Sequence, residues 1–115
     1  MMGVCEALSL ASSLGLDLEK MLHVVTGGAA GSWALQNLGP KIAEGDLDPG
    51  FMVKLIHKDL NIVMEAAQEA RLPLPGTALA LQHYLGVEAE GGENLGTQAM
   101  IKIYEKLANR TLNQK

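Results

Sequence analysis

One uninterrupted stretch limits the folds open to this chain. Phe51 to Leu72, FMVKLIHKDLNIVMEAAQEARL, contains no Gly or Pro and lies between Asp48-Pro49-Gly50 and Pro73, which predicts a helix of about five to six turns. At about 100° per residue, its apolar residues spread over a broad arc running from Phe51, Met52, Val53, Leu55 and Ile56 to Ala66, Ala67 and Ala70. Lys54, His57, Asn61, Glu65 and Gln68 fill the remainder. A helix with so wide an apolar arc is expected to be covered by protein and to form the centre of the domain.

Asp59 breaks that pattern. It projects into the middle of the apolar arc beside Met52, Leu55, Ala66 and Ala70, where an unpaired carboxylate is costly, so it needs a partner. Either it caps a neighbouring helix or accepts backbone N–H bonds, or it faces a polar cleft. Lys58 stands about 100° away at the rim of the arc, on the same side as Phe51 one heptad earlier, and is not expected to be simply the partner of Asp59. It is either a solvated charge or a cation reaching towards something anionic.

The length of 115 residues predicts one domain, residues 1–115, with a single modest core. With 48% apolar and 19% charged residues the chain is of globular type rather than disordered. Trp33, Phe51, Tyr84 and Tyr104 are its whole aromatic complement, so Ala, Leu and Met must fill the core, and that composition favours an all-α fold. A net charge of −4 with no clustered basic surface argues against nucleic acid. The single Cys5 rules out an internal disulfide and a cysteine-based zinc cluster. No apolar run approaches a membrane span and no signal peptide is visible, so the expected setting is the cytoplasm.

Met1 to Leu14 is helical by composition, with Glu6, Ser9 and Ser13 as its polar stripe and apolar residues over most of its circumference. A domain of this size would struggle to bury it. It also starts at full hydrophobicity with no cap residue, which predicts that further residues once preceded it and that the surface left over is used for self-association. Gly15 stops this helix, and Asp17 opens a second that runs to Thr26. Gly27 to Gly31 is a flexible turn, readable as a plain connection or as a set of N–H groups offered to an anion. Ser32 caps a short helix from Trp33, expected to break at Gly39-Pro40 and to resume through Lys41 until Gly45. Trp33 is either the wall of a pocket or a core anchor. Beyond the central helix, Leu72 to Gly76 forms a rigid turn and Thr77 caps the next helix through Leu85. A mobile acidic loop spans Glu88 to Asn94, a last helix runs from about Leu95 to Leu107, and Asn109 to Lys115 is a polar tail.

His23, His57 and His83 fall on three different predicted helices with no i,i+4 pairing, so no metal site is read, and each is expected at a surface or a helix contact. No serine nucleophile elbow is present, and Cys5 has no recognisable base; no catalytic residue is assigned. Composition and spacing stop at a helical domain with one conspicuous Lys58-Asp59 pair.

The order Gly31-Ser32-Trp33, Leu35, Asn37, then Gly45-Asp46, Pro49-Gly50-Phe51, Leu55, Lys58-Asp59-Leu60 and Leu72-Pro73-Leu74-Pro75 resembles the C-terminal domain of the β-hydroxyacid dehydrogenases. That group includes 3-hydroxyisobutyrate dehydrogenase and tartronate semialdehyde (2-hydroxy-3-oxopropionate) reductase. The resemblance covers nearly the whole chain and is most specific from Phe51 to Leu60. It implies a helical domain that closes over the nicotinamide of NAD or NADP held by an N-terminal Rossmann domain absent from this sequence. It further implies a small hydroxyacid substrate and a homo-oligomer. The family's catalytic lysine belongs to a G-x-x-x-K-x-x-x-N pattern upstream of Met1, so the isolated chain is expected to be inactive and to hold no cofactor. By the same likeness Lys58 and Phe51 are cofactor-facing, Asp59 supports the active-site surroundings, and Trp33 with Ser32 lies on the substrate side. Where the family commonly carries an Asp and a Ser before its last helix, this chain has Leu95-Gly96-Thr97. The alternative class is a helical dimerisation or interaction module without chemistry, in which Lys58 is an ordinary surface charge.

Overall fold

The structure, a computed structural model, describes residues 1–112. Six α-helices follow one another: α1 Met2–Ser13, α2 Leu18–Thr26, α3 Trp33–Glu44, α4 Val53–Glu69, α5 Pro75–Ala89 and α6 Ile101–Ala108. A 3-10 turn, Thr97–Met100, leads into α6. Among the described residues the extended pairing is one antiparallel bridge between Met52 and Gly96. The all-α expectation holds.

The core is built where α1, α3, α6 and the 3-10 turn meet, from Cys5 and Leu8, Leu35 and Ile42, Ala99, Met100 and Ile101, with Leu22, Val53, Tyr84 and Val87 added from the other helices. Burial pushes the Cys5 thiol up to about 12, so it is an inert apolar filler. On α1 the residues Val4, Cys5, Leu8 and Ala11 are buried. Leu10 and Leu14 point outward, as expected of a helix with more apolar surface than the domain can cover. Met1 is its N-cap and offers no side-chain bond.

Local chemistry sets most boundaries. Asp17 caps α2 by accepting the Lys20 N–H at 3.0 Å, and Ser32 caps α3 by accepting that of Leu35 at 3.0 Å. Gly45 ends α3 in the left-handed conformation at φ 76°. Contrary to expectation, α3 is not interrupted at Gly39-Pro40. Pro40 faces solvent, and only its missing N–H is lost from the ladder. Gly39 faces inward, and a Cβ there would stand 2.7 Å from Leu22 Cδ2. The close approach of α2 to α3 offsets the proline penalty.

Several other boundaries correct the sequence reading. Thr77 is not the cap of α5; Pro75, which needs no N–H partner, occupies its first turn, with Leu74 as N-cap. The helix then continues through Glu88, which was expected in the loop, because Glu88 is paired with His57 Nδ1 of α4 at 2.6 Å. The stretch that remains is a hydrogen-bonded connection rather than a mobile loop: Gly92 N–H donates to Val87 O at 3.0 Å, and Lys106 of α6 pairs with Glu90. The last helical segment starts as a 3-10 turn at Thr97, not at Leu95. The last described residues fold back on α1. Ser12 Oγ donates to Leu112 O at 2.6 Å, and the Leu112 N–H donates to Glu105 Oε1 at 2.9 Å. The rest of the expected polar tail, 113–115, lies outside the described residues.

The largest correction concerns α4. It packs chiefly on α5 and meets the rest of the fold near its start, against the 3-10 turn and the loop before it. Only Val53 and Ala67 are buried on it, while Leu55, Ile62 and Val63 are exposed. Its wide apolar arc therefore marks an arm open to solvent in this chain, not the centre of the domain. The radius of gyration, 14.6 Å, exceeds the roughly 13 Å of a compact chain this long, as a projecting α4–α5 hairpin requires.

Candidate functional site

The linker from α3 to α4 fixes where the arm begins. After Gly45, the Asp46 N–H donates to Lys41 O at 2.8 Å. The Asp46 carboxylate accepts the Asp48 N–H at 2.9 Å and pairs with Lys41 Nζ at 3.0 Å. The Asp48 amide first, and the Lys41 ammonium second, hold the Asp46 carboxyl below its ordinary value. The segment that follows is laced to the other side of the fold. Gly96 N–H donates to Leu47 O at 2.9 Å, Thr97 N–H to Phe51 O at 3.0 Å, Val53 N–H to Leu95 O at 2.8 Å and Lys54 N–H to Glu93 O at 3.0 Å. The first amides of α4 are thus spent on loop carbonyls, so its N-terminus is closed to an anion.

Phe51 stands just ahead of α4, with its ring partly exposed at 44% of the residue surface. Lys58 follows about one and a half turns into the helix, and its side chain is 64% exposed. Its ammonium lies 3.2 Å from Asp59 Oδ1. Contrary to expectation, Lys58 is the partner of Asp59 in this chain, and Asp59 caps no neighbouring helix among the described residues. The physical reason is the exposure of the arm, because in solvent both flexible side chains bend along the helix surface towards each other. Leu55, Ile62 and Val63, all exposed, surround the pair at helical spacing. The result is an ion pair in the middle of an open apolar face. Lys54, by contrast, is tethered across the linker, its Nζ donating to Asn94 Oδ1 at 2.8 Å.

Ser32 and Trp33 are not brought to this face. They open α3 at the end opposite the linker, and α3 and α4 do not pack along each other. Ser32 serves as the cap described above. Trp33 is 71% exposed, neither an anchor of this core nor the wall of a pocket within it. The glycine turn before it is a plain connection, with Gly28 N–H on Val25 O and Gly31 N–H on Gly28 O. Of the histidines, His23 is exposed, His57 bridges α4 to α5, and His83 packs edge-on to Tyr104 with ring centroids 5.2 Å apart. Burial pushes the Tyr104 hydroxyl up to about 12, so it stays neutral. Among the described residues no group of three His, Cys, Asp or Glu side chains could hold a metal. The large open groove, about 1070 Å³, lies elsewhere, between α2, α3 and the end of α1, with Asp17, His23, Glu44 and Arg110 on its walls. It contains none of the five candidate residues.

One residue of this region escaped the sequence reading. Gln98 is buried beneath the linker and donates to the carbonyls of Asp46 and Asp48. The available signal was an amide beside Ala99-Met100 in an otherwise apolar segment.

Residues 1–104 match the family described as NAD-binding of NADP-dependent 3-hydroxyisobutyrate dehydrogenase. The chain belongs to the 3-hydroxyisobutyrate dehydrogenase family. An oxidoreductase of Synechocystis sp. is 48% identical over 101 residues, covering 88% of this chain and 34% of that protein. The 2-hydroxy-3-oxopropionate reductase of Escherichia coli is 34% identical over 109 residues, covering 95% of this chain and 37% of the enzyme. Among solved structures, the 3-hydroxyisobutyrate dehydrogenase of Salmonella typhimurium superposes with a TM-score of 0.83 at 33% identity, over 89% of this chain and 36% of its own. This chain spans about a third of the length of the relatives it matches. Lys58 and Phe51 offer a cation and a ring on an open face, but among the described residues there is no strand and glycine turn to seat a pyrophosphate.

Proposed function

We propose that this chain is the helical domain of an NAD(P)-dependent oxidoreductase acting on a small β-hydroxyacid or its semialdehyde, of the class of 3-hydroxyisobutyrate or tartronate semialdehyde. A Rossmann domain ahead of Met1 completes the enzyme, and this domain alone turns nothing over. The observation that carries the reading is the open face of α4, where Lys58 and Asp59 sit among Leu55, Ile62 and Val63 with no described element over them. A charged pair framed by exposed apolar side chains is suited to closing onto a ligand held by another domain.

When bound, the nicotinamide supplies hydride chemistry. In this proposal the chain's own residues bind, orient and exclude water. Lys58 meets an anionic part of the cofactor, Phe51 lies against it, and Asp59 keeps the ammonium directed along the helix. Leu55 and Ile62 remove water from the closed face, which strengthens the charged contacts. Trp33 and Ser32 act towards the substrate only if another domain or subunit reaches the start of α3. A homo-oligomer fits the same reading, since α1 leaves Leu10 and Leu14 uncovered. A reducing, cytoplasmic setting fits the buried free thiol of Cys5. No described helix is long and apolar enough to cross a membrane.

The test compares the purified 115-residue chain with a polypeptide carrying the Rossmann region ahead of Met1, each given NADPH or NADH with tartronate semialdehyde, or NADP+ or NAD+ with 3-hydroxyisobutyrate. Turnover by the longer polypeptide alone is expected. Turnover by the isolated chain would overturn the reading, as would a longer polypeptide that binds neither dinucleotide.

A further inference from the structure

Gln98 is the most completely buried polar side chain in the described structure, at 1% exposure. Its amide nitrogen has two hydrogens, and two carbonyls receive them: Asp48 O at 2.9 Å and Asp46 O at 3.3 Å, some fifty residues away in sequence. Space has been made for it. The Gly96 backbone is extended, at φ −66° and ψ 157°, so any residue could adopt that conformation. A Cβ there would nevertheless collide with the Gln98 carboxamide. What Gly96 offers the carboxamide in its present position is room, not a special conformation. An apolar side chain of equal volume would fill the same space without desolvating an amide, so filling is not what the glutamine adds.

What it adds is a hold on the linker. The two carbonyls it grips belong to the turn immediately before Pro49-Gly50-Phe51, and the neighbouring Thr97 N–H holds Phe51 O at 3.0 Å. Val53 and Lys54 are held to Leu95 and Glu93 in the same ladder. We infer that Gln98 is a positioning residue, which fixes the direction in which α4 leaves the core and so places Phe51 and Lys58 for the cofactor without touching it. The cofactor part of this statement rests on the function proposed above; the mechanical part does not.

The experiment uses the complete polypeptide with Gln98→Leu, and Gln98→Asn as a second variant should the first not fold, since asparagine keeps the amide but falls short of the carbonyls. Hydrogen exchange is followed at the amides of Val53, Lys54, Gly96 and Thr97, which carry the ladder, with the interior of α1 as reference. Exchange at the linker should rise roughly tenfold or more while α1 is little changed. In steady-state kinetics the KM for NADPH or NADH, whichever the parent protein uses, should rise about tenfold while the KM for the acid substrate stays within about twofold. Gln98→Glu supplies a pH signature. Only its protonated form can donate to a carbonyl, so its activity relative to the parent should improve as pH falls. Unchanged linker exchange in both shortened or apolar variants would overturn the inference, and so would a uniform rise that includes α1, which is the mark of simple core loss. If the parent protein binds neither dinucleotide, the proposed function fails, and the exchange data still decide what Gln98 does.

Discussion

Two helices with wide apolar arcs, α1 and α4, meet opposite fates. On α1 four of twelve residues are buried, and they lie against α3, α6 and the 3-10 turn. On α4 only two of seventeen are buried, and its only extensive packing is on α5. The shorter α1 is the more apolar of the two along its length, and more elements reach it, whereas the longer α4, for all its wide apolar arc, is reached by few. A helix held on several sides defines the core, whereas a helix held on one side carries its remaining apolar face to whatever docks there. Lys58, Asp59 and Phe51 all belong to the second kind of helix or to its entrance, while the residue that aims them, Gln98, belongs to the first region.

Substitutions separate the two regions most strongly at their side chains. Leu8→Ala in α1 removes a fully buried side chain and should cost about 2–5 kcal/mol in urea unfolding. Ile62→Ala on α4, at a position 57% exposed, should stay within about 0.5 kcal/mol in the isolated chain. Equal losses would mean that α4 is covered after all. A smaller effect is expected where the arm is stapled to itself. His57 and Glu88 lie 2.6 Å apart and are each about one-fifth exposed, so a double-mutant cycle should return a coupling of about 0.3–1 kcal/mol, and zero coupling would remove the staple. The smallest effect concerns the linker. Because the folded-state pKa of Asp46 is depressed, its contribution is present above its ordinary value of 3.8 and fades as pH falls through the lower folded value. Asp46→Asn should therefore lower the unfolding midpoint slightly near neutrality and converge with the parent chain in acid. A difference that grew in acid would reverse the sign of the argument.

Much of this was legible in the sequence because it depends on local chemistry. The caps at Asp17 and Ser32, the stop at Gly45 and the all-helical class follow from neighbours within a turn. The continuous α3 was not legible, since the inward Gly39 that offsets Pro40 needs Leu22 from another helix. The exposure of α4 was hidden for the same kind of reason: a sequence reports how much apolar surface a helix has, not what reaches it. The resemblance singled out Lys58 and Asp59, on a helix surface now seen to be open, and Phe51 just ahead of that helix, while the ion pair between Lys58 and Asp59 followed only once that exposure was known. Trp33 and Ser32 stay apart from them in this chain.

The most direct test compares Lys58→Ala with Lys54→Ala in the complete polypeptide. Both lysines are exposed and lie one turn apart on α4, but Lys54 is tethered to Asn94 across the linker and Lys58 stands on the open face. Steady-state kinetics with the dinucleotide varied should show Lys58→Ala lowering kcat/KM by roughly tenfold or more, about 1.4 kcal/mol of transition-state stabilisation, with Lys54→Ala changed far less and the unfolding midpoint of Lys58→Ala unmoved. If the two variants have the same kcat/KM, Lys58 does not meet the cofactor and the open face of α4 serves only to pack against a neighbour.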